Sequence, residues 1–207
     1  MSPSEYEHEP IRGLPGDLPA GERILWQGAP DWRTFARSAL HTRLVGLYFA
    51  LIGAVALIGG SVGGLLAAAI SAVVVTALLT LFAVMVGRTT VYTITNRRVV
   101  LRIGVALTKC VNLPLSVIGS AEFAPLADGC GDVVLVPNAS HGLGYAMLWP
   151  HARPLRFSRP QPMLRAIPDA ETVADILARA CGAVAPINRH DAAPVRTGAV
   201  PAQEIAA

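Results

Sequence analysis

Between Leu44 and Gly87 the chain lacks any charged side chain over 44 residues, and charge is sparse elsewhere, with Asp, Glu, Lys and Arg making up 15% of the 207 residues. Soluble domains carry about 25%, so composition alone points away from an ordinary soluble protein. Lysine is nearly missing: Lys109 is the one Lys among 17 basic residues, which fits GC-rich codon usage better than a choice of guanidinium chemistry. A net charge of +3, with much of the Arg excess beside the apolar run, reads as a topology signal and not as nucleic-acid affinity. Cysteine is scarce too. Cys110, Cys130 and Cys181 form no C-x-x-C pair, which argues against a disulfide framework and a zinc site. His8, His41, His141, His151 and His190 show no H-x-x-x-H spacing. Gly129-Cys130-Gly131 and Gly142-Leu143-Gly144 are too short for dinucleotide or phosphate loops, and no Ser or Cys sits in a nucleophile elbow. No catalytic, metal or cofactor residues are therefore expected, and the chain is read as not an enzyme.

What is present is mostly apolar. A spanning helix needs about 20 residues to cross about 30 Å of hydrocarbon. The run holds two such stretches, 44–60 and 65–87, divided by a glycine-rich turn. Its polar side chains, Tyr48, Ser71, Thr76 and Thr80, form no stripe of the kind a soluble core helix keeps. Two transmembrane helices in a hairpin are expected. The run starts too far along the chain for a signal peptide. Arg33, Arg37 and Arg43 precede the first span, Arg88, Arg97, Arg98 and Arg102 follow the second, and the turn is uncharged. The excess of Arg on one side places both termini in the cytoplasm and the turn outside.

Residues 31–43 place Trp32, Phe35, Ala36 and Ala39 on one helical face with Arg33 and Arg37 along its flank. That pattern predicts an interfacial helix whose aromatic face lies in the acyl boundary. Trp32, Arg33, Phe35, Arg37, Arg43 and Arg88 are thus candidate membrane-interface anchors. His41, at the inner mouth of the first span, could meet a chlorophyll magnesium. No His lies within the apolar run itself, so bacteriochlorophyll contact has no buried ligand to support it and no cofactor is assigned.

After the hairpin the pattern changes to alternation. Strands are expected at 90–95, 98–103, 108–113, 117–123, 132–136, 143–149 and 154–158, with Asn96-Arg97 as the first turn. One helix follows Pro168, with Asp169 as its cap, an apolar stripe of Val173, Ile176, Leu177 and Ala180, and Gly182 to end it. Seven antiparallel strands closed by an amphipathic helix is the order of a pleckstrin-homology-like β-barrel, expected over 88–182. Residues 1–30, with the acidic cluster Glu5, Glu7 and Glu9, form a partly disordered cytoplasmic segment, and 183–207 a disordered tail. Arg97, Arg98, Trp149, His151 and Arg153 are candidate partner contacts. Small residues in the spans, Gly46, Gly53, Ala68, Ala72 and Ala77, suit close helix packing, within the hairpin or onto another chain.

Three stretches together carry a resemblance: Gly21-Glu22-Arg23-Ile24-Leu25-Trp26-Gln27-Gly28-Ala29-Pro30, the two-span hairpin, and Tyr92-Thr93-Ile94-Thr95-Asn96-Arg97-Arg98-Val99. This layout resembles bacterial membrane proteins with a bacterial pleckstrin-homology domain. Gly13-Leu14-Pro15, the Trp149–Pro154 loop and Pro162-Met163-Leu164-Arg165 narrow it to the PuhB family of purple phototrophic bacteria. The resemblance covers roughly residues 10–182. It implies a non-catalytic assembly factor, in the bacterial cytoplasmic (photosynthetic) inner membrane, for the photosynthetic reaction centre and core light-harvesting complex. Implied partners are reaction centre subunits, the H subunit among the candidates, core antenna polypeptides and membrane lipids; the small residues of the spans and the exposed edges of such a barrel also suit a homodimer. The alternative is a general membrane-surface lipid- or protein-binding bacterial pleckstrin-homology protein.

Overall fold

In the computed structural model of the protein, residues 12–138 and 142–184 are described. Strand β1 (Ile24–Gly28) lies before the apolar run and pairs antiparallel with β2 (Val91–Thr95), which lies after it. The helices α1 (Trp32–Ser38), α2 (Thr42–Ile58) and α3 (Val62–Thr89) are therefore an insertion between two neighbouring strands. This corrects the expected boundary at residue 88. The Gly21–Pro30 phrase supplies an edge strand of the barrel and is not a separate segment.

Strands β3 (Arg98–Ile103) and β4 (Lys109–Pro114) complete a sheet in the order β1-β2-β3-β4. A 3-10 turn (Leu115–Val117) leads to β5 (Ile118–Pro125) and β6 (Cys130–Pro137), which with β7 (Met163–Pro168) form a second sheet. Between them, α4 (Tyr145–Leu148) is a single turn, and α5 (Ala170–Val184) follows the last strand. The two sheets and α5 enclose a core that includes Tyr92, Ile94, Leu101, Leu113, Leu135, Leu164 and Ile167. Helix α5 buries Val173, Leu177 and Ala180 against it, as the stripe in the sequence requires.

Two expected strands are absent. Leu143–Trp149 alternates, yet Gly144 starts a helical turn that buries Leu148. Residues 154–158 pair with no strand, and Leu155 and Phe157 stand exposed. The seventh strand is β7 instead. Its Met163–Ile167 is buried on both faces, so it shows no alternation to read. Gly182, expected to end α5, lies inside it. The acidic cluster, His8, His141, His190 and the tail beyond Val184 lie outside the described residues.

Local chemistry sets the helix ends. Asp31 Oδ2 accepts from Thr34 N at 2.8 Å and Ser61 Oγ from Gly64 N at 3.1 Å, capping α1 and α3. His41, at φ 52°, breaks the chain between α1 and α2, whose axes differ by 55°. Helix α3 is long and apolar enough to cross a membrane. Helix α2, at 17 residues, reaches that length only together with α1 across the bend.

Candidate functional site at the junction of hairpin and barrel

Helix α1 follows β1 directly and is held against β7. The Asp31 N–H donates to the Ala166 carbonyl at 2.8 Å. Phe35, fully buried, sits in a cluster with Ala36, Ala83, Val86 and Ala166, against which Phe82, Val105 and Leu126 also pack. One small core thus joins α1, α3, β7 and the β3–β4 and β5–β6 connections. This corrects the expected interfacial helix in one respect: Phe35 faces protein, because the barrel covers the face that was read as lipid-directed.

Behind Phe35 lies a buried polar group of residues. The His151 ring centroid is 6.0 Å from that of Phe35. Its Nδ1 is 2.7 Å from Tyr92 Oη, and its Nε2 3.4 Å from Thr90 Oγ1. Tyr92 Oη accepts from Arg165 N at 3.2 Å, and Asp132 Oδ1 from Ala166 N at 2.7 Å. Burial, then the nearby Arg165 cation, pushes the His151 pKa down to about 3, so the ring is neutral. Burial raises the Tyr92 phenol above its usual value and the Asp132 carboxyl above its own. His151 is 1% exposed. A neutral imidazole so enclosed meets no solvent-borne substrate; it ties the 149–153 loop to β2, and so to the sheet from which the hairpin emerges.

The candidate partner contacts do not converge. Arg97 is exposed on the β2–β3 turn and donates to the Ala20 carbonyl at 3.3 Å. Arg98 is paired with the buried Glu22, at 2.8 and 3.1 Å, which closes the N-terminal segment over that turn. Burial pushes the Glu22 carboxyl up, and hydrogen bonds from Arg98 and Thr95 more than offset it, leaving its pKa below the usual range. Arg153 binds Glu122 at 2.7 Å and Gln161 at 3.1 Å. His151 is interior, which corrects its reading as a surface contact, while Trp149 is 55% exposed and stacks on Phe82 of α3.

Among the candidate anchors, Trp32 and Arg33 are exposed, with the Arg33 guanidinium 5.1 Å from the Trp32 ring centroid. Arg37 pairs with Asp128 at 2.6 Å, linking α1 to the β5–β6 connection. Arg43 and Arg88 are exposed at the starts and ends of α2 and α3 respectively. Among the described residues no group of acidic, His and Cys side chains could hold a metal. None of the three cysteines is in a disulfide; Cys130 is buried, Cys181 half-buried and Cys110 exposed.

The residues that build this junction were only partly legible. Tyr92 and Arg165 stood in phrases that carry the family resemblance but were assigned no role, and Asp132 stood in none; their signal is polar character inside otherwise apolar strands. Glu22 belonged to the Gly21–Pro30 phrase but gave no hint of its partner Arg98. On the hairpin itself, a groove of about 460 Å³ runs between Gly46, Ala50, Gly53 and Leu57 of α2 and Leu65, Ala68 and Ala72 of α3.

Residues 47–180 match the family described as bacterial PH domain. A Rhodobacter capsulatus protein described as "Uncharacterized 23.7 kDa protein in puhA 5'region" is 42% identical over 197 residues, covering 88% of this chain and 90% of that protein. No solved structure matches the chain. Both similarities agree with the resemblance carried by the sequence phrases.

Proposed function

The chain belongs to the bacterial PH-domain family and is similar over most of its length to the Rhodobacter capsulatus protein, and on that premise we propose that it is a non-catalytic membrane factor for assembly of the photosynthetic reaction centre and its core antenna. The observation that carries this reading is the near full-length relative, described by its place in the puhA 5′ region. The sequence resemblance to the PuhB family points the same way.

The architecture suits such a task. Both long helices expose Leu, Ile and Val along their length, and α2 packs along α3. We read them as a two-span hairpin. At about 1.5 Å per residue the 17 residues of α2 reach about 25 Å, near the hydrocarbon thickness. The Arg residues at the inner ends keep both termini in the cytoplasm. The groove of small residues then faces the lipid phase, where it can take a helix of a nascent subunit by close packing. The barrel, welded to the hairpin by the Phe35 cluster, would stand over the same membrane patch and hold a cytoplasmic segment. Arg97 and Arg153 are the contacts we retain for it.

Affinity isolation of the tagged full-length chain from phototrophic membranes tests this. Reaction centre and core antenna subunits are expected in the mild-detergent eluate while pigment protein is being made. An eluate free of both would remove the assembly reading. Specific retention on anionic lipid alone would favour the general lipid-surface alternative.

A further inference from the structure

One exposed aromatic side chain of the barrel touches the hairpin. Trp149 stacks on Phe82 with ring centroids 5.8 Å apart and planes at 26°, yet more than half of it remains exposed. Two lengths fix where that contact lies. Counting about 20 residues of hydrocarbon span from Val62 ends at Leu81, one residue before Phe82. Counting back along α2 from the tight turn at Gly59–Ser61 sets Thr42, the start of α2, level with about Leu78 of its neighbour. Both counts put Phe82 at the boundary between acyl chains and headgroups. The side chain stacked on it is therefore at the same depth, outside the protein core.

The surroundings agree with that depth. The exposed pair Trp32 and Arg33 lies nearer the barrel, with Trp32 against Gly87 of α3. Val105 of the β3–β4 turn packs on the same small core as Phe82, and two residues on, Leu107 is 77% exposed. An indole is suited to this zone because its ring is apolar and its N–H needs a polar partner. We propose that Trp149 is a bilayer anchor of the barrel: its indole inserts at the headgroup–acyl boundary of the phospholipid around α3 and fixes the depth and tilt of the domain on the membrane. The occupant of this surface is lipid because the contact continues the lipid-facing flank of α3. The proposal rests on the reading of α3 as membrane-spanning.

Bromine quenches Trp fluorescence on contact, so vesicles of phosphatidylcholine brominated near the carbonyl end or near mid-chain report depth. The full-length chain carrying Trp26→Phe and Trp32→Phe leaves Trp149 as the only emitter. Its emission is expected to be quenched strongly by the shallow bromines and weakly by the deep ones. Subtracting the quenching of the Trp149→Phe protein from that of the wild type gives the same quantity without disturbing β1. A control with Val73→Trp as the only Trp reports mid-helix α3. Quenching at 73 by deep bromines with none at 149 overturns the anchor and leaves Trp149 to a protein partner. Quenching at neither position overturns the spanning reading and the anchor together.

Discussion

His151 makes the stability of the barrel depend on acidity in a calculable way. In the folded chain its pKa lies at about 3, because burial and the Arg165 cation disfavour the imidazolium; in the unfolded chain it returns to 6.5. A depressed folded-state pKa means that the unfolded state binds the extra proton. The stability held by the neutral ring is thus complete above the unfolded value and lost as pH falls through the window between the two. The slope there is about 1.4 kcal/mol per pH unit, so going from about pH 7.5 to about pH 4.5 removes about 2.7 kcal/mol. Asp132 works against this, since its raised pKa makes the folded state take up a proton as pH falls. Comparison with His151→Gln cancels that opposing contribution. At neutral pH the variant is less stable than wild type, having lost the Tyr92 contact at 2.7 Å. The gap should close on acidification by the amount above. Denaturant unfolding in detergent, followed by Trp emission, measures both proteins at each pH. A gap that stays constant across the range would refute a neutral, buried His151.

Other consequences follow from the same contacts. Phe35→Ala empties a fully buried site between hairpin and barrel and should cost about 3–5 kcal/mol, read as a shifted unfolding midpoint of the full chain. Glu22→Gln should cost about 2 kcal/mol at neutral pH by weakening charge-assisted bonds to Arg98. Because the Glu22 pKa is lowered by folding, that loss should fade as pH drops below the carboxylate range, which the same titration records. Gly46→Leu adds a side chain where nothing lies within 4 Å, at the inner end of the hairpin groove. It should leave the chain folded by circular dichroism while lowering recovery of antenna and reaction centre subunits with it.

The helix pair α2 and α3 was legible as a long uncharged run, the stripe of α5 because that helix buries one face, and β2 and β3 from their β-branched residues around the Asn96-Arg97 turn, although β2 is buried on both faces. In β3 the half-buried Arg98 and Arg102 alternate with the buried Val99, Leu101 and Ile103, while Val100 is buried as well. Strand β7 was not legible, since Met163–Ile167 is buried throughout, Arg165 included, and shows no alternation of polar and apolar residues. Strand β1 was hidden for another reason. It is short, lies at a sheet edge, and is separated from its partner by the whole hairpin, so only its pairing with β2 reveals it. Within it, the Trp26 ring lies over Gly28, where a β-carbon would collide with it, which accounts for that glycine in the phrase. The candidate contacts were scattered for a simpler reason. Sequence proximity joined Trp149, His151 and Arg153, but the loop turns one of them outward beside α3, one into the core, and one onto Glu122. The aromatic pattern of residues 32–39 did predict α1, but not which side of it would meet protein.

The central claim is a role in building photosynthetic complexes, and the near-infrared absorption of membranes tests it most directly. An in-frame deletion in the native phototroph should lose reaction centre and core antenna bands selectively and regain them when the wild-type chain is restored. An unchanged spectrum with normal phototrophic growth would contradict the account.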